Sequence, residues 1–135
     1  GVSIVAFGVL LSGLIGGSSQ EEKLKSIGQR ISPEALATMK ANLARTDALK
    51  QIAVEKGATL AQLAIAWVLA QGEDIIALVG SRTASQIKDT IQALNVKLTK
   101  EDLDRIDRIM PKEEATSSYM LDVDIDSKGL FHAKQ

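Results

Sequence analysis

The sequence contains no cysteine and a single histidine among its 135 residues. The lack of cysteine excludes a disulfide framework and a metal site built on thiolates, and a single histidine argues against zinc binding. A bias toward one charge is also lacking, because 16 basic side chains oppose 17 acidic ones. The sequence therefore offers no electrostatic basis for binding nucleic acid or an anionic membrane surface.

A hydrophobic run long enough to cross a membrane is lacking as well. The apolar stretch at residues 1–16 (GVSIVAFGVLLSGLIG) contains four glycines, and a bilayer requires about 18–20 apolar residues. No basic region precedes it, as one would in a signal peptide. We interpret it as a buried strand at residues 2–7 that continues into a glycine-rich loop. A chain that begins on a buried strand is expected to be a piece of a longer protein.

Start and stop patterns for helices follow this first strand. Residues 8–31 predict a long loop, because they are rich in glycine and then in polar side chains. The Ser-Pro-Glu sequence at residues 32–34 predicts the start of a helix that Gly57 ends. Thr59 is the predicted cap of a second helix, which ends at Gly72.

A second strand and two more helices are predicted in the remaining part. Residues 75–79 (IIALV) form a continuously apolar run before Gly80, which is typical of a parallel strand covered on both faces. Thr83 and Gln86 form a predicted capping box, and Thr99 marks another helix start. The apolar residues expected to face inward are Ile87, Ile91 and Leu94 in the first helix and Leu103, Ile106 and Ile109 in the second.

This order of elements predicts an α/β fold with a parallel sheet and right-handed crossovers. Two strands are too few to close a barrel or to cover four helices, so the fold is expected to be incomplete on its own. No periodicity is sustained over residues 111–135, which predict an irregular tail. The chain accordingly divides into residues 1–110 and this tail.

Three segments carry a family resemblance. They are GATLAQLAIAWVL at residues 57–69, IIALVGSRTASQI at residues 75–87 and NVKLTKEDL at residues 95–103. The first is similar to the seventh helix of the aldo-keto reductase barrel, the second to its eighth strand and the cofactor loop, and the third to the approach to its last helix. The chain thus resembles the C-terminal part of an aldo-keto reductase, in the branch that includes bacterial NADP-dependent reductases and potassium-channel β subunits.

The resemblance implies a TIM-type β/α barrel of eight strands, of which this chain would supply the last two strands and their helices. It also implies NADP(H) as the cofactor and hydride transfer to a carbonyl beside a catalytic Asp, Tyr, Lys and His. Those four residues would lie upstream of Gly1, since the residues of these types present here do not occupy matching positions. No catalytic residue is therefore expected in this chain.

The first candidate cofactor site is the loop that follows the second predicted strand. Gly80 would let a ligand approach the backbone beside Ser81, and the next helix offers unpaired N–H groups to an anion. Arg82 can hold a phosphate through two hydrogen bonds, which favours the 2′-phosphate of NADPH over the free hydroxyl of NADH. The resemblance adds Gln86 and Asp89 as contacts of the adenosine part. The alternative is that this segment only caps a helix and that the Arg82 side chain is a solvated charge.

The second candidate site follows the first predicted strand. The resemblance implies that Phe7 stacks against the nicotinamide ring and that the backbone of Leu10, Ser12 and Gly13 faces the pyrophosphate. The alternative is that Phe7 is a core residue at a strand end with a turn behind it.

Two functions of different class remain open. The first is an NADP(H)-dependent, cytoplasmic reductase that acts on a small carbonyl compound, with this chain as its cofactor-binding end. The second is a non-catalytic nucleotide-binding or self-associating module. In either case an open two-stranded sheet is expected to be covered by the remainder of the barrel or by a second copy. No metal, nucleic acid or membrane is expected as a partner.

Overall fold

A computed structural model describes residues 1–10, 15, 20–29, 32–111, 123–125 and 131–133. These residues form an α/β structure. Its elements in chain order are β1 (Ile4–Ala6), α1 (Gln20–Gly28), α2 (Pro33–Glu55), α3 (Leu60–Leu69), β2 (Ile75–Ala77), α4 (Ala84–Ile91), a 3-10 turn (Gln92–Asn95), α5 (Lys100–Ile109), β3 (Val123–Ile125) and β4 (Phe131–Ala133).

The two strands predicted from apolar runs pair with each other in parallel. Ile4 is the register partner of Ile75, and the next two residues of each strand continue the register. Parallel pairing is thus confirmed, although each strand is three residues long and therefore shorter than predicted. Among the described residues each strand has one neighbour only, so its second edge has no ladder hydrogen bonds to this part of the chain.

Helix α2 begins and ends where the local sequence predicts. It starts at Pro33. An N–H group at the first position of a helix would have no acceptor within the helix, so the proline loses no hydrogen bond there. At its other end Gly57 has φ +62°, its N–H donates to the carbonyl of Val54, and the N–H of Ala58 donates to the carbonyl of Ala53. These bonds form a Schellman motif, in which glycine takes the left-handed conformation at least cost.

The core lies between α2, α3 and α5. Its buried residues are Ile52 and Ala53 from α2, Leu63 from α3 and Ile106 from α5, with Trp67 among the partly buried residues packed against them. Helix α3 starts at a complete capping box, in which Thr59 and Gln62 each accept a hydrogen bond from the other's backbone N–H. The helices begin at the predicted residues, and their apolar faces pack against one another.

A buried ion pair joins α2 to α5. The carboxylate of Asp102, which is 5% exposed, pairs with the ammonium of Lys56 and accepts hydrogen bonds from the backbone N–H of Thr99 at 2.7 Å and from its hydroxyl at 2.8 Å. Burial opposes the charged form, but these partners together lower the pKa of Asp102 to about 2. On the surface nearby, Arg105 donates two hydrogen bonds to the carboxylate of Glu55, at 2.7 and 3.1 Å.

The inward face predicted for α4 is wrong. The residues predicted to be buried have about half or more of their surface exposed, namely Ile87, Ile91 and Leu94. Instead, the side that carries Asp89 and Ala93 faces α3, and Ala93 is 1% exposed. The reason is that Gln62 of α3 donates hydrogen bonds to Asp89. Ile87 and Ile91 are each two residues from Asp89 and therefore lie about 160° around the helix from it, on the side away from α3.

Two further predictions are corrected. The predicted long loop at residues 8–31 contains α1, whose sequence QEEKLKSIG has too few apolar residues to form a stripe. The predicted irregular tail contains β3 and β4, which pair antiparallel, with Asp124 opposite His132. Within the described part of the chain, no single helix is long and apolar enough to cross a membrane. Helices α2 and α3 meet that criterion only as a pair bent by 85°.

Candidate functional site

The carboxyl ends of β1 and β2 lie side by side. Because the strands are parallel, the residues that follow each strand leave the sheet at the same edge. The N–H of Leu78 donates to the carbonyl of Ala6 at 2.8 Å, which extends this contact by one residue. The fold therefore brings the chain after Phe7 next to the chain that leads to Gly80, so that parts of both candidate sites share one edge.

The turn before α4 is held by two hydrogen bonds. The hydroxyl of Thr83 accepts from the backbone N–H of Gln86 at 3.2 Å, as predicted for a cap. The side-chain carbonyl of Gln86 accepts from the N–H of Arg82 at 2.8 Å and not from Thr83, so the second half of the predicted capping box is wrong. The bond to Gln86 fixes the backbone of Arg82 one residue before the cap.

The Arg82 side chain is exposed, and it has no hydrogen bond or ion pair to any other described residue. A Cβ built on Gly80 meets nothing within 4 Å, and Ser81 is half-buried between them. The first two N–H groups of α4, at Ala84 and Ser85, have no intrahelical acceptor. An unpaired guanidinium, open space at a glycine and free N–H groups together fit a phosphate group.

Asp89 is held by a residue that the sequence did not single out. Its Oδ1 accepts from the Nε2 of Gln62 at 2.7 Å, and its backbone carbonyl accepts from the same nitrogen at 3.1 Å. The T-x-x-Q spacing at residues 59–62 is a capping-box pattern and predicts the bond from Gln62 to Thr59. It gives no indication of Asp89, which lies 27 residues farther along the chain.

The other candidate site is described in part. Phe7 is exposed and not a core residue, Gly8 has φ +71°, and Leu10 is half-buried. The predicted contacts Ser12 and Gly13 lie outside the described residues. The aromatic face of Phe7 is therefore available at the strand edge next to the chain that leads to Gly80.

The rest of the described structure gives less evidence of a binding site than the strand edge does. An open cleft of about 630 Å³ lies between α1 and α2, and Lys25 and Lys40 are among its lining residues. Those of its lining residues that the structure describes all belong to α1 and α2. Among the residues that the structure describes, no three acidic or histidine side chains gather in a group that could hold a metal ion.

Comparison with known proteins gives one family. The sequence model of the aldo/keto reductase family matches residues 1–111. The chain is 35% identical over 112 residues to an uncharacterized oxidoreductase, YrpG, of Bacillus subtilis (strain 168), with 82% of this chain and 33% of that protein covered. It is 34% identical over 116 residues to the probable aldo-keto reductase 1 of Glycine max, with 82% and 33% covered.

A third relative is the L-glyceraldehyde 3-phosphate reductase of Escherichia coli (strain K12), to which the chain is 29% identical over 117 residues, with 80% of this chain and 33% of that protein covered. The chain spans about a third of the length of these curated relatives.

Proposed function

This chain belongs to the aldo/keto reductase family, and on that premise we propose that it is the cofactor-binding end of an NADP(H)-dependent carbonyl reductase. The observation that carries the proposal is the Arg82 side chain, which lies exposed and unpaired among the described residues at the loop between β2 and α4. Barrel enzymes place phosphate groups at the carboxyl ends of their last strands. NADP(H) differs from NAD(H) by one phosphate, so a free guanidinium at this place favours NADP(H).

Each residue of the loop has a separate part in this proposal. Gly80 and Ser81 line the approach to the backbone, Arg82 binds the 2′-phosphate, and Gln86 holds the Arg82 backbone in place through the 2.8 Å bond. Asp89 and Gln86 contact the adenosine part, as the family resemblance implies. Phe7 packs against the nicotinamide ring at the neighbouring strand, with Leu10, Ser12 and Gly13 along the pyrophosphate. The bound cofactor supplies the hydride.

We propose further that β1 and β2 belong to a TIM-type barrel whose other strands lie outside this chain. Support comes from the apolar side chains left uncovered, which are more than half exposed on the sheet at Val5, Phe7, Ile76 and Leu78. The relatives, about two and a half times as long, supply enough chain for the missing strands. The catalytic Asp, Tyr, Lys and His would then lie on those strands, and the chain by itself would reduce no carbonyl substrate.

The cofactor assignment is tested with the Arg82→Ala variant. A hydrogen bond to a charged group contributes about 1.5–3 kcal/mol, so the variant is expected to bind NADPH about 10- to 100-fold more weakly and NADH nearly unchanged. The measurement is a fluorescence titration with each reduced cofactor. Lys88→Ala is the matched control, because it removes the same charge from an exposed position within α4, six residues after Arg82, and should leave both affinities unchanged. An equal loss for both cofactors in Arg82→Ala would contradict the role at the 2′-phosphate.

The uncovered sheet also supports the second function, a self-associating module. Sedimentation of the chain at low micromolar concentration, combined with the NADPH titration, separates the two functions. We expect association, because burial of apolar surface stabilises a complex by about 25 cal/mol per Å², and Ile76→Lys should weaken it. A folded monomer that remains monomeric would contradict the proposal that this face requires a cover. Association combined with no NADPH binding would favour the module over the reductase.

A further inference from the structure

Gln62 is a buried polar residue whose amide is fully engaged. It is 8% exposed on α3, and its Oε1 accepts from the N–H of Thr59 at 3.0 Å. Its Nε2 donates to both the carbonyl and the Oδ1 of Asp89. If the Gln62 amide were rotated by half a turn, its N–H₂ group would face the N–H of Thr59, and its oxygen would face the two oxygens of Asp89. The orientation of Gln62 is therefore fixed by its partners on two sides.

The same two bonds from Gln62 hold α4 in position against α3. None of the residues of α4 is buried, so packing of side chains holds this helix less firmly than it holds α2, α3 and α5. Among the described residues, the side-chain hydrogen bonds that join α4 to another helix all come from Gln62. The Oδ2 of Asp89 has no hydrogen-bond partner among the residues that the structure describes. One carboxylate oxygen is thus tied to the core, and the other is left as a free acceptor.

We propose that Gln62 is a positioning residue of the dinucleotide site, which holds the Asp89 carboxylate so that its Oδ2 accepts a hydrogen bond from the adenosine part of the cofactor. This inference rests on the proposed function. The path runs from the Thr59 N–H through the amide of Gln62 to the carboxylate of Asp89. Gln62 itself lies behind Asp89 and touches no ligand.

A pair of substitutions tests the direction of this hydrogen bond. Gln62→Glu retains the capping box, since glutamate also suits that position, but it removes the donor and sets two carboxylates against each other. Asp89→Asn retains the acceptor for Gln62 but leaves an N–H₂ donor where Oδ2 stood. Each single variant is expected to bind adenosine 2′,5′-bisphosphate about tenfold more weakly, as measured by calorimetry.

The doubly substituted chain is expected to recover part of this loss, because the side-chain bond is restored while the bond from residue 62 to the backbone carbonyl of residue 89 is not. The new amide at position 89 would donate to the new carboxylate at position 62, which reverses the bond and leaves the amide oxygen as the free acceptor. Two damaging changes would then combine into a site that binds more tightly than either single variant, a result that a merely structural role of Gln62 does not produce. Gln71→Glu controls for the added charge, because Gln71 follows α3 at an exposed position, and it should bind as the unsubstituted chain does.

Hydrogen exchange supplies a readout without ligand. In Gln62→Glu the amides of α4 are expected to exchange about fivefold faster, which corresponds to the loss of one ordinary hydrogen bond, while those of α2 and α5 stay unchanged. A double variant that binds no more tightly than Gln62→Glu would overturn the positioning role alone. Failure of the unsubstituted chain to bind the probe would overturn the proposed function and this inference together.

Discussion

Asp102→Asn should destabilise the chain by an amount that depends strongly on pH. The pKa of Asp102 falls from an ordinary value of 3.8 to about 2 in the folded chain. One pKa unit corresponds to about 1.4 kcal/mol, so the difference corresponds to about 2 kcal/mol of folding stability. Because the folded pKa is the lower one, this contribution is complete above the unfolded value of about 4 and is lost as the pH falls through about 2.

The variant is nearly isosteric, so its effect comes from the charge. It leaves the ammonium of Lys56 beside a neutral amide, although Lys56 is partly exposed (23%) and regains some hydration. We therefore expect a loss of about 2 kcal/mol near neutral pH, which shrinks below about pH 4 and disappears near pH 2.

The assay is urea denaturation followed by circular dichroism at a series of pH values, with the free energy of unfolding extrapolated for each. Asp104→Asn is the matched control on the same helix. Asp104 pairs with Lys100 at 3.0 Å on the surface, and such an exposed pair contributes less than about 0.5 kcal/mol. A penalty for Asp102→Asn that is the same at acid and neutral pH, or no larger than that of the control, would refute the reasoning.

Three further predictions concern local structure. Gly57→Ala should lower the free energy of unfolding by about 1–2 kcal/mol because an alanine is strained at φ +62°, while the added Cβ meets no atom within 4 Å. Gly80→Ala is the control: residue 80 has an ordinary φ and open space around it, so the thermal midpoint should stay unchanged. Thr59→Ala should lower the free energy of unfolding, measured by urea denaturation, by about 1 kcal/mol because the α3 cap is lost. Thr59→Ser should keep the wild-type stability, and an unchanged free energy of unfolding in Thr59→Ala would contradict the capping role. Because Arg105 lowers the pKa of Glu55, the stability that their pair contributes should be complete above the unfolded pKa of Glu55, should be lost as the pH falls through the lowered folded pKa, and should weaken in high salt. Glu55→Gln should abolish that dependence, and an unchanged salt response would contradict it.

The candidate site could be predicted in the parts that depend on neighbouring residues. The cap at Thr83 and an exposed Arg82 directly before it follow from residues within one turn of each other. The choice of partner for Gln86 did not follow, because the N–H groups of Arg82 and Thr83 lie four and three residues before it, both within reach of its side chain, and only the folded turn selects one. The contacts of this loop with a cofactor remain a prediction.

The sequence by itself determined where helices α2, α3 and α5 begin and where α2 ends. Those boundaries rest on the proline at residue 33, the hydroxyls of Thr59 and Thr99 and the glycine at residue 57, each of which acts on backbone groups at most five residues away.

Only the tertiary structure decided which strand pairs with which and which side of α4 is turned to the core. An aliphatic stripe and a carboxylate both compete for that side, and an amphipathic pattern gives preference to the stripe. In the folded chain the buried amide of Gln62 must satisfy its two donors, and Asp89 supplies both acceptors. Leaving these buried donors unpaired would cost about 1–3 kcal/mol, and the partner that prevents this cost lies 27 residues away, where the local pattern gives no indication of it.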